Sequence, residues 1–527
     1  MQQPALDRRL CWLLFLVPLA MFLFNLGGIP LFDVDEGAFS EATREMFERH
    51  DFISTWLNGV PRFDKPILIY WCQAAFVWLF GPNEWAFRMP SAIAASAWCW
   101  AAGMFAGEQE SKSGGNGRHA AIFGTTVAVT SLGVILIGRA ATADALLNML
   151  IALSMFDSWR HLQSGKRAPL LRSYLWIGLG VLTKGPVALL VPAAATLIYC
   201  VSCRRLRDWA RSVFDPAGWL ILLAVTVPWY AAELHIHGRA FIDGFLLKHN
   251  VERFSGSLEG HSGGIFYYLA IVPALLLPWL AWLLAALFRL KGDMRDTANP
   301  ARRFLWIWAI FVIAFFSLSG TKLPHYGLYG CTPLFVLIAL HRDAVRSARL
   351  AALPAFVVLC LALTLPSLLT DAIAQGWIKE PFYVMQISRI TEIDLTGYRG
   401  IVSLTLIAAA MGLFMMSNDA WRRMSFVAVM LLISITAGVA PLMGELLQGP
   451  TRRAGLAARA YKEPAVLWNF HAPSFSVYRQ AATPSVQAQP GQIALTRADR
   501  LPADANVDIL HREGGVLLVR LKSLAQP

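Results

Sequence analysis

Residues 8–36 read RRLCWLLFLVPLAMFLFNLGGIPLFDVDE, and this stretch decides the fold class. Arg8 and Arg9 precede an almost unbroken apolar run from Leu10 to Leu26, which as a helix reaches most of the way across a bilayer core. A secretory signal begins the same way, but no small-residue cleavage site follows and further apolar stretches come after it. The run therefore reads as a retained first helix. Directly behind it the chain places Asp33, Asp35, Glu36, Glu41, Arg44, Glu45, Asp64 and Lys65. Charge held this close to a membrane span is costly and points to chemistry.

The rest of the chain agrees. Of 527 residues 56% are hydrophobic and 15% charged, the mean hydropathy is +0.50, and apolar stretches of spanning length recur. This is the composition of a polytopic α-helical membrane protein. Spans are expected at 10–26, 88–107, 119–138, 143–160, 172–186, 187–203, 217–235, 265–289, 303–319, 323–341, 350–370, 400–416 and 424–441, about thirteen in all. The apolar stretch Pro66 to Phe80 is expected to lie along the membrane or dip into it. Were it to span, the basic Lys112 to Arg118 loop would change sides and every later loop would invert.

The net charge of +12 does not call for a nucleic-acid partner, because the Lys and Arg residues cluster in short loops at alternate helix ends. Loops Arg160 to Arg172, Arg204 to Arg211, Lys291 to Arg303, Arg342 to Arg349 and Arg422 with Arg423 are expected in the cytoplasm. The segments around Asp35, Asp144, His249 and Lys322 and the C-terminal tail then lie outside. Seven cysteines, all in or beside apolar stretches, imply no disulfide framework. Cys200 and Cys203 form one C-x-x-C, but a structural zinc site needs four ligands.

Two units are expected. Residues 1–441 form the transmembrane part, with outer loops 33–65, 236–264 and 371–399. Within the first loop, apolar positions at Ala38, Phe39, Ala42, Met46 and Phe47 predict an amphipathic helix over Asp35 to Arg49, lying flat in the outer interface. After residue 442 the apolar runs shorten to strand length (Ala465 to Phe470, Phe475 to Tyr478, Ile493 to Thr496, Val507 to Leu510, Val516 to Leu521), so residues 442–527 read as a small soluble α+β or mostly β unit. Gly514 and Gly515 predict a hairpin between the last two runs.

Several charged residues could carry chemistry. Asp35 and Glu36 are either a solvated helix start or a reactive pair. Arg139 and Asp144 stand in an otherwise uncharged stretch, where they either pair with each other or serve a site. Lys184 either snorkels to the interface or faces a ligand, and Gly185 and Pro186 break the chain behind it. Arg253 offers a planar fork for phosphate. His249 and His261, with Asp64 as a carboxylate donor, are candidate ligands for a divalent metal. Lys322, His325 and Tyr326 gather where one span ends and the next begins. Together these carboxylates and cations suit a reaction on an anionic, lipid-borne substrate: cations stabilise a leaving phosphate and a carboxylate takes a proton from an acceptor hydroxyl. No GxGxxG, P-loop or HExxH is present.

The elements Asp33-Val-Asp35-Glu36 through Thr43-Arg44-Glu45-Met46, Phe63-Asp64-Lys65-Pro66 through Tyr70-Trp71, Phe87-Arg88-Met89-Pro90-Ser91, Arg139 with Asp144, Lys184-Gly185-Pro186, His249 through Arg253-Phe254, Pro278-Trp279 and Lys322-Leu323-Pro324-His325-Tyr326 occur in order. In this they resemble the GT-C glycosyltransferases that use polyprenyl-phosphate sugars, in the bacterial protein-mannosyltransferase-like branch that includes lipid A aminoarabinose transferases. The resemblance implies a GT-C fold with an extra-cytoplasmic C-terminal unit. It implies Asp35, with Glu36 beside it, and Asp144 as catalytic carboxylates, with Asp144 organising the acceptor or a metal. Lys65, Arg253, Lys322 and Tyr326, joined by Lys184 and Arg139, would hold the carrier phosphate. The implied reaction moves one sugar from a polyprenyl (undecaprenyl) phosphate to a lipid A, glycan or protein acceptor on the periplasmic side of the bacterial inner membrane, with inversion. A divalent metal is the one cofactor left open. Gly37-Ala38-Phe39 stands where aminoarabinose transferases commonly have Arg-Tyr, which removes a phosphate contact. The alternative reading is a lipid-linked sugar flippase or transporter, whose polar groups would sit near the midplane of two related halves.

Overall fold

The computed structural model describes residues 7–252, 263–415, 419–503 and 505–524. The first 237 residues carry the helices α1 (Arg8–Leu23), α2 (Asp35–Arg49), α3 (Leu68–Phe80), α4 (Glu84–Lys112), α5 (Gly117–Thr130), α6 (Leu132–Gly138), α7 (Asp144–Ser164), α8 (Arg167–Lys184), α9 (Val187–Ser202), α10 (Leu206–Val213) and α11 (Pro216–His237). Longer helices follow at Pro300–Ser317, Leu353–Ala374, Thr396–Met415 and Ala420–Leu447. Each expected span falls on a helix or on a pair of helices broken within it. The stretch 119–138 is bent by 67° between α5 and α6, and 265–289 is divided into Tyr267–Leu275 and Leu280–Arg295. Among the described residues five helices are long and apolar enough to cross a membrane alone, or six with the bent pair. At its 13 residues, α3 is about 20 Å long, short of the ~30 Å hydrocarbon core.

One large apolar core joins α4, α5, α7, the 300–317 helix and Cys331–Leu340, with Trp98, Trp159, Trp279, Trp282, Trp306 and Trp308 fully buried in it. Small residues let the first helices approach closely. A Cβ on Gly103 would lie 2.6 Å from the Ala121 carbonyl oxygen of α5, so the α4–α5 contact requires glycine there.

The structure departs from the expected flat interfacial helix at α2. Asp35 and Glu36 complement the dipole at its start, and His50, with φ 53°, ends it in the left-handed region. Yet every residue from Glu36 to Met46 is buried. Its polar side is satisfied internally, where Arg44 donates to both oxygens of Glu41 at 2.8 Å and pairs with Glu48 at 2.6 Å. α2 packs between α3 and a short C-terminal helix, Pro473–Arg479.

That short helix is a second correction, since Phe475 to Tyr478 was expected as a strand. Pro473 in its first turn and the left-handed Gln480 behind it bracket one helical segment. The remaining apolar runs form a four-stranded sheet: β3 (Ala465–Leu467), β4 (Ile493–Arg497), β5 (Ala505–Glu513) and β6 (Val516–Leu524), in the order β3-β4-β6-β5, numbered after the small hairpin β1 (Trp56–Leu57) and β2 (Val60–Pro61). β3 runs parallel to β4 and the other pairs are antiparallel. Gly514 and Gly515 turn β5 into β6, with Gly514 at φ 52°. Residue 441 lies inside the Ala420–Leu447 helix, and a further helix, Gly449–Ala458, precedes the sheet.

Candidate active site

α7 and α8 are adjacent and joined by a tight turn at Gly165, so the start of α7 meets the end of α8. This closes Asp144 onto Lys184, with Nζ 2.5 Å from Oδ1. His325, carried on the turn Pro324–Gly330, brings its Nε2 to 3.7 Å from the same carboxylate oxygen. Thr142 donates to Oδ2 at 3.3 Å. The Lys184 ammonium lies over the Tyr326 ring at 5.5 Å and the Tyr329 ring at 6.0 Å, a geometry in which the ring faces stabilise the cation.

Asp35 opens the first turn of α2 on the wall of the same cavity, of about 390 Å³, which Asp33, Arg139, Thr142, Asp144 and His325 also line. Among the described residues no group donates a hydrogen bond to its carboxylate. Enclosure in the cavity raises its pKa, the neighbouring Asp144 raises it further, and Lys184 and Lys65 act in the opposite sense.

Glu36, one residue on, is in a different situation. Both its oxygens are occupied: Arg88 donates Nε to Oε1 at 2.8 Å and Nη2 to Oε2 at 2.7 Å, the Ala141 amide reaches Oε1 at 2.7 Å, and the Phe32 amide reaches Oε2 at 2.9 Å. Arg88 spends its remaining donors on the carbonyls of Leu26, Ile29 and Pro30. This buried clamp ties the first loop to α4 and to the turn before α7. It leaves Glu36 no lone pair for a substrate.

Arg139 lines the cavity and donates to the carbonyls of Phe22 at 2.9 Å and Asn25 at 3.1 Å. Among the described residues it has no carboxylate partner, and burial with Arg88 nearby lowers its pKa to about 10. Lys65 pairs with Asp64 at 2.6 Å, and Arg62 holds the other Asp64 oxygen at 2.8 Å. Lys322 is buried outside the cavity wall and donates to the Ser319 carbonyl at 2.6 Å. Among the described residues no three His, Cys, Asp or Glu side chains converge as a metal site, and Asp64 is already bound by two cations. Arg253 and His261 lie outside the described residues. His249 belongs to the helix Ile242–Glu252, and its side chain is likewise outside the description.

One contact had no signal in the sequence. Ser474, on the short C-terminal helix, donates from its amide (2.9 Å) and hydroxyl (2.5 Å) to Asp33, while the Tyr478 hydroxyl accepts from the Leu31 amide at 2.7 Å and donates to Glu84 at 3.2 Å. Burial pushes Asp33 up to about 7 despite those Ser474 bonds.

Over 98% of this chain and 99% of the other, the structure superposes on ArnT from Cupriavidus metallidurans bound to undecaprenyl phosphate, with a TM-score of 0.80 at 20% identity. The apo form of that protein superposes with a TM-score of 0.77 over 96% and 97% of the two chains, again at 20% identity. The chain has the GT-C fold of a polytopic helical membrane protein. The family profile described as dolichyl-phosphate-mannose-protein mannosyltransferase matches residues 64–231. The undecaprenyl phosphate-alpha-4-amino-4-deoxy-L-arabinose arabinosyl transferase of Serratia proteamaculans is 28% identical over 337 residues, covering 62% of this chain and 58% of that protein. Its counterpart in Yersinia pestis is 28% identical over 350 residues, 65% and 61% of the two chains. The chain thus matches about three fifths of the length of these curated relatives.

Proposed function

We propose that this GT-C protein is a glycosyltransferase of the bacterial inner membrane. In this reading it moves one sugar from a polyprenyl phosphate, such as undecaprenyl phosphate, to a lipid A, glycan or protein acceptor on the periplasmic side. The observation that carries the proposal is the unlike treatment of two carboxylates in one cavity. Asp144 is neutralised by Lys184, with the His325 ring 3.7 Å away, whereas Asp35 faces the cavity with no donor among the described residues. Two carboxylates in unlike surroundings take unlike roles: Asp35 is the base, and Asp144 orients the cations and the acceptor.

The acceptor hydroxyl attacks the anomeric carbon as Asp35 takes its proton. The new C–O bond forms as the bond from that carbon to the carrier phosphate oxygen breaks, and direct displacement inverts the configuration. Arg139 and Lys184 stand at the cavity to receive the charge that develops on the leaving phosphate. Arg139 suits this because carbonyls, not carboxylates, hold it. Lys65 and the Tyr326 hydroxyl are further candidates for contacts to the donor, while Lys322, buried on the Ser319 carbonyl, would act through the turn that carries His325 and Tyr326, and Arg253 is retained as a phosphate ligand from its residue type alone. Glu36 is a positioning residue, because its clamp to Arg88 fixes the helix start that presents Asp35. An apolar groove of about 710 Å³ between α1, α5 and residues 429–436 meets the polar cavity at Thr436 and suits an isoprenoid tail. The basic loops would face the cytoplasm by the positive-inside rule, and the C-terminal sheet the periplasm.

The test is transfer of labelled sugar from a panel of polyprenyl-phosphate sugars, in membranes carrying wild type, Asp35→Asn and Lys65→Ala, with lipid A, glycan and protein products resolved. Loss of transfer in both variants at constant protein level supports the proposal and identifies the acceptor class. Transfer unaffected by either change would remove the reaction from this cavity, leaving transport of the lipid-linked sugar as the better reading.

A further inference from the structure

At the other end of the bundle from Asp35 lies a second polar cavity, of about 670 Å³. α4 carries Arg88 near its start, beside Glu36, and ends at Lys112, about 36 Å further along at 1.5 Å per residue. α7 likewise begins at Asp144 and delivers Trp159 and Arg160 to the far end.

The charged side chains lining this cavity are Lys112, Arg160, Lys166 and Arg302 against Glu108 alone, four cations to one carboxylate. Both oxygens of Glu108 are already occupied, by Lys112 at 2.8 Å and by Arg160 at 2.8 Å. Two further lining groups, Gln109 Nε2 and Trp159 Nε1, are buried donors with no acceptor among the described residues. These residues are 6% and 2% exposed, and a buried donor left unpaired is costly. Arg160 also pairs with Asp157 at 3.2 Å, and Arg302 with Asp293 at 3.6 Å and Asp296 at 3.7 Å, so the lining groups left over among the described residues are the Lys166 ammonium and these two buried donors. A ligand matched to them brings negative charge and several acceptor oxygens, as a phosphate does.

A separate feature gives the level of the membrane here. α10 turns Leu206, Arg207 and Arg211 outward, with Phe214 just behind it, and is tied to the end of α7 by Arg205 donating to the Leu162 carbonyl at 2.7 Å and by His161 with Ser212 at 3.1 Å. A short helix that exposes both apolar and basic residues lies in the headgroup layer. The cavity, formed by the same end of α7, opens at that depth.

We propose that this cavity binds the phosphate of an anionic phospholipid headgroup from the leaflet at that end. Basic cavities between helix ends are suited to such headgroups, and the site is independent of the transfer reaction. It can be tested on the full chain in neutral detergent by titrating phosphatidylglycerol or phosphatidylcholine and counting bound lipid by native mass spectrometry. Phosphatidylglycerol should bind and phosphatidylcholine should not. With each cation worth about fivefold in affinity, Lys112→Gln with Lys166→Gln should weaken phosphatidylglycerol about 25-fold. Gln109→Leu should weaken it about tenfold by removing a donor to a charged group. Arg422→Gln with Arg423→Gln, basic residues outside the cavity lining, should leave it unchanged. Equal binding of the two lipids, or equal losses in the control variant, would overturn the proposal. Displacement of the lipid by millimolar inorganic phosphate would also overturn it, by assigning the site to a soluble anion.

Discussion

Replacing Glu36 by Gln separates a structural clamp from a reacting carboxylate. Glu36 is 5% and Arg88 2% exposed, and their bidentate contact lies at 2.7 to 2.8 Å. Glu36→Gln keeps the shape, removes the charge, and directs an amide N–H toward Arg88 or toward the Ala141 and Phe32 amides, all of which are donors. Removing one partner of a buried pair costs about 3–5 kcal/mol. The three carbonyls that also hold Arg88 keep its guanidinium solvated, so the low end, about 3 kcal/mol, is expected. A double-mutant cycle with Arg88→Met isolates the pair, read as resistance to a denaturing detergent in mixed micelles with helicity as the signal. The expected coupling is about 3 kcal/mol, with transfer falling in step with the folded fraction. A coupling under about 1 kcal/mol, the range of exposed pairs, would refute the clamp. Wild-type stability with transfer abolished would refute it differently, by making Glu36 a reacting group.

Asp35→Asn should lower transfer by about 10²- to 10⁴-fold, the range for a lost general base, with stability retained. Because burial and Asp144 raise the Asp35 pKa and a base acts when ionised, wild-type transfer should decline on acidification at a higher pH than a free aspartate titrates, and the variant should lack that limb. A wild-type profile flat down to about pH 4, near the free-aspartate value, would exclude Asp35 as the base. Lys184→Gln removes the cation between Asp144 and the two tyrosine rings and should cost about 100-fold in turnover, checked by steady-state transfer kinetics. Ser474→Ala deletes one hydrogen bond to Asp33, worth about 0.5–1.5 kcal/mol to a neutral carboxyl, and should speed proteolytic release of the C-terminal sheet. Since the folded-state pKa of Asp33 is raised to about 7, its contribution is full below the unfolded-chain value and is lost as pH rises through 7. Release should therefore quicken as pH rises from about 4 toward 7 in wild type, level off above 7, and become pH-independent in Asp33→Asn.

Much of the helical layout was legible because hydropathy is a local property. The runs at 88–107, 143–160 and 217–235 fall on α4, α7 and α11 without reference to any partner. The Gly514-Gly515 hairpin was legible for the same reason, since a two-residue turn depends only on its own backbone. Local pattern misled at α2, where a helix with a polar side would lie in water were it alone. The C-terminal helix and α3 cover it, and the Glu41–Arg44–Glu48 pairs satisfy its charges. It misled again at Phe475 to Tyr478, where four residues of apolar and polar type fit either a strand or one turn of helix, and Pro473 and Gln480 decided for helix. Ser474 and Asp33 are 441 residues apart in sequence, beyond any spacing rule.

By itself the sequence determined that this chain is a helical membrane protein and which charged residues gather beside its spans, because burying charge in lipid is so costly that each exception stands out. Only the tertiary structure decided what those charges do. Asp35 and Glu36 are adjacent in the chain and equally acidic, yet a helix start turns one into an open cavity and the other onto Arg88. The lone pairs left over by folding, and not the residue type, distinguish the proposed base from the clamp that positions it.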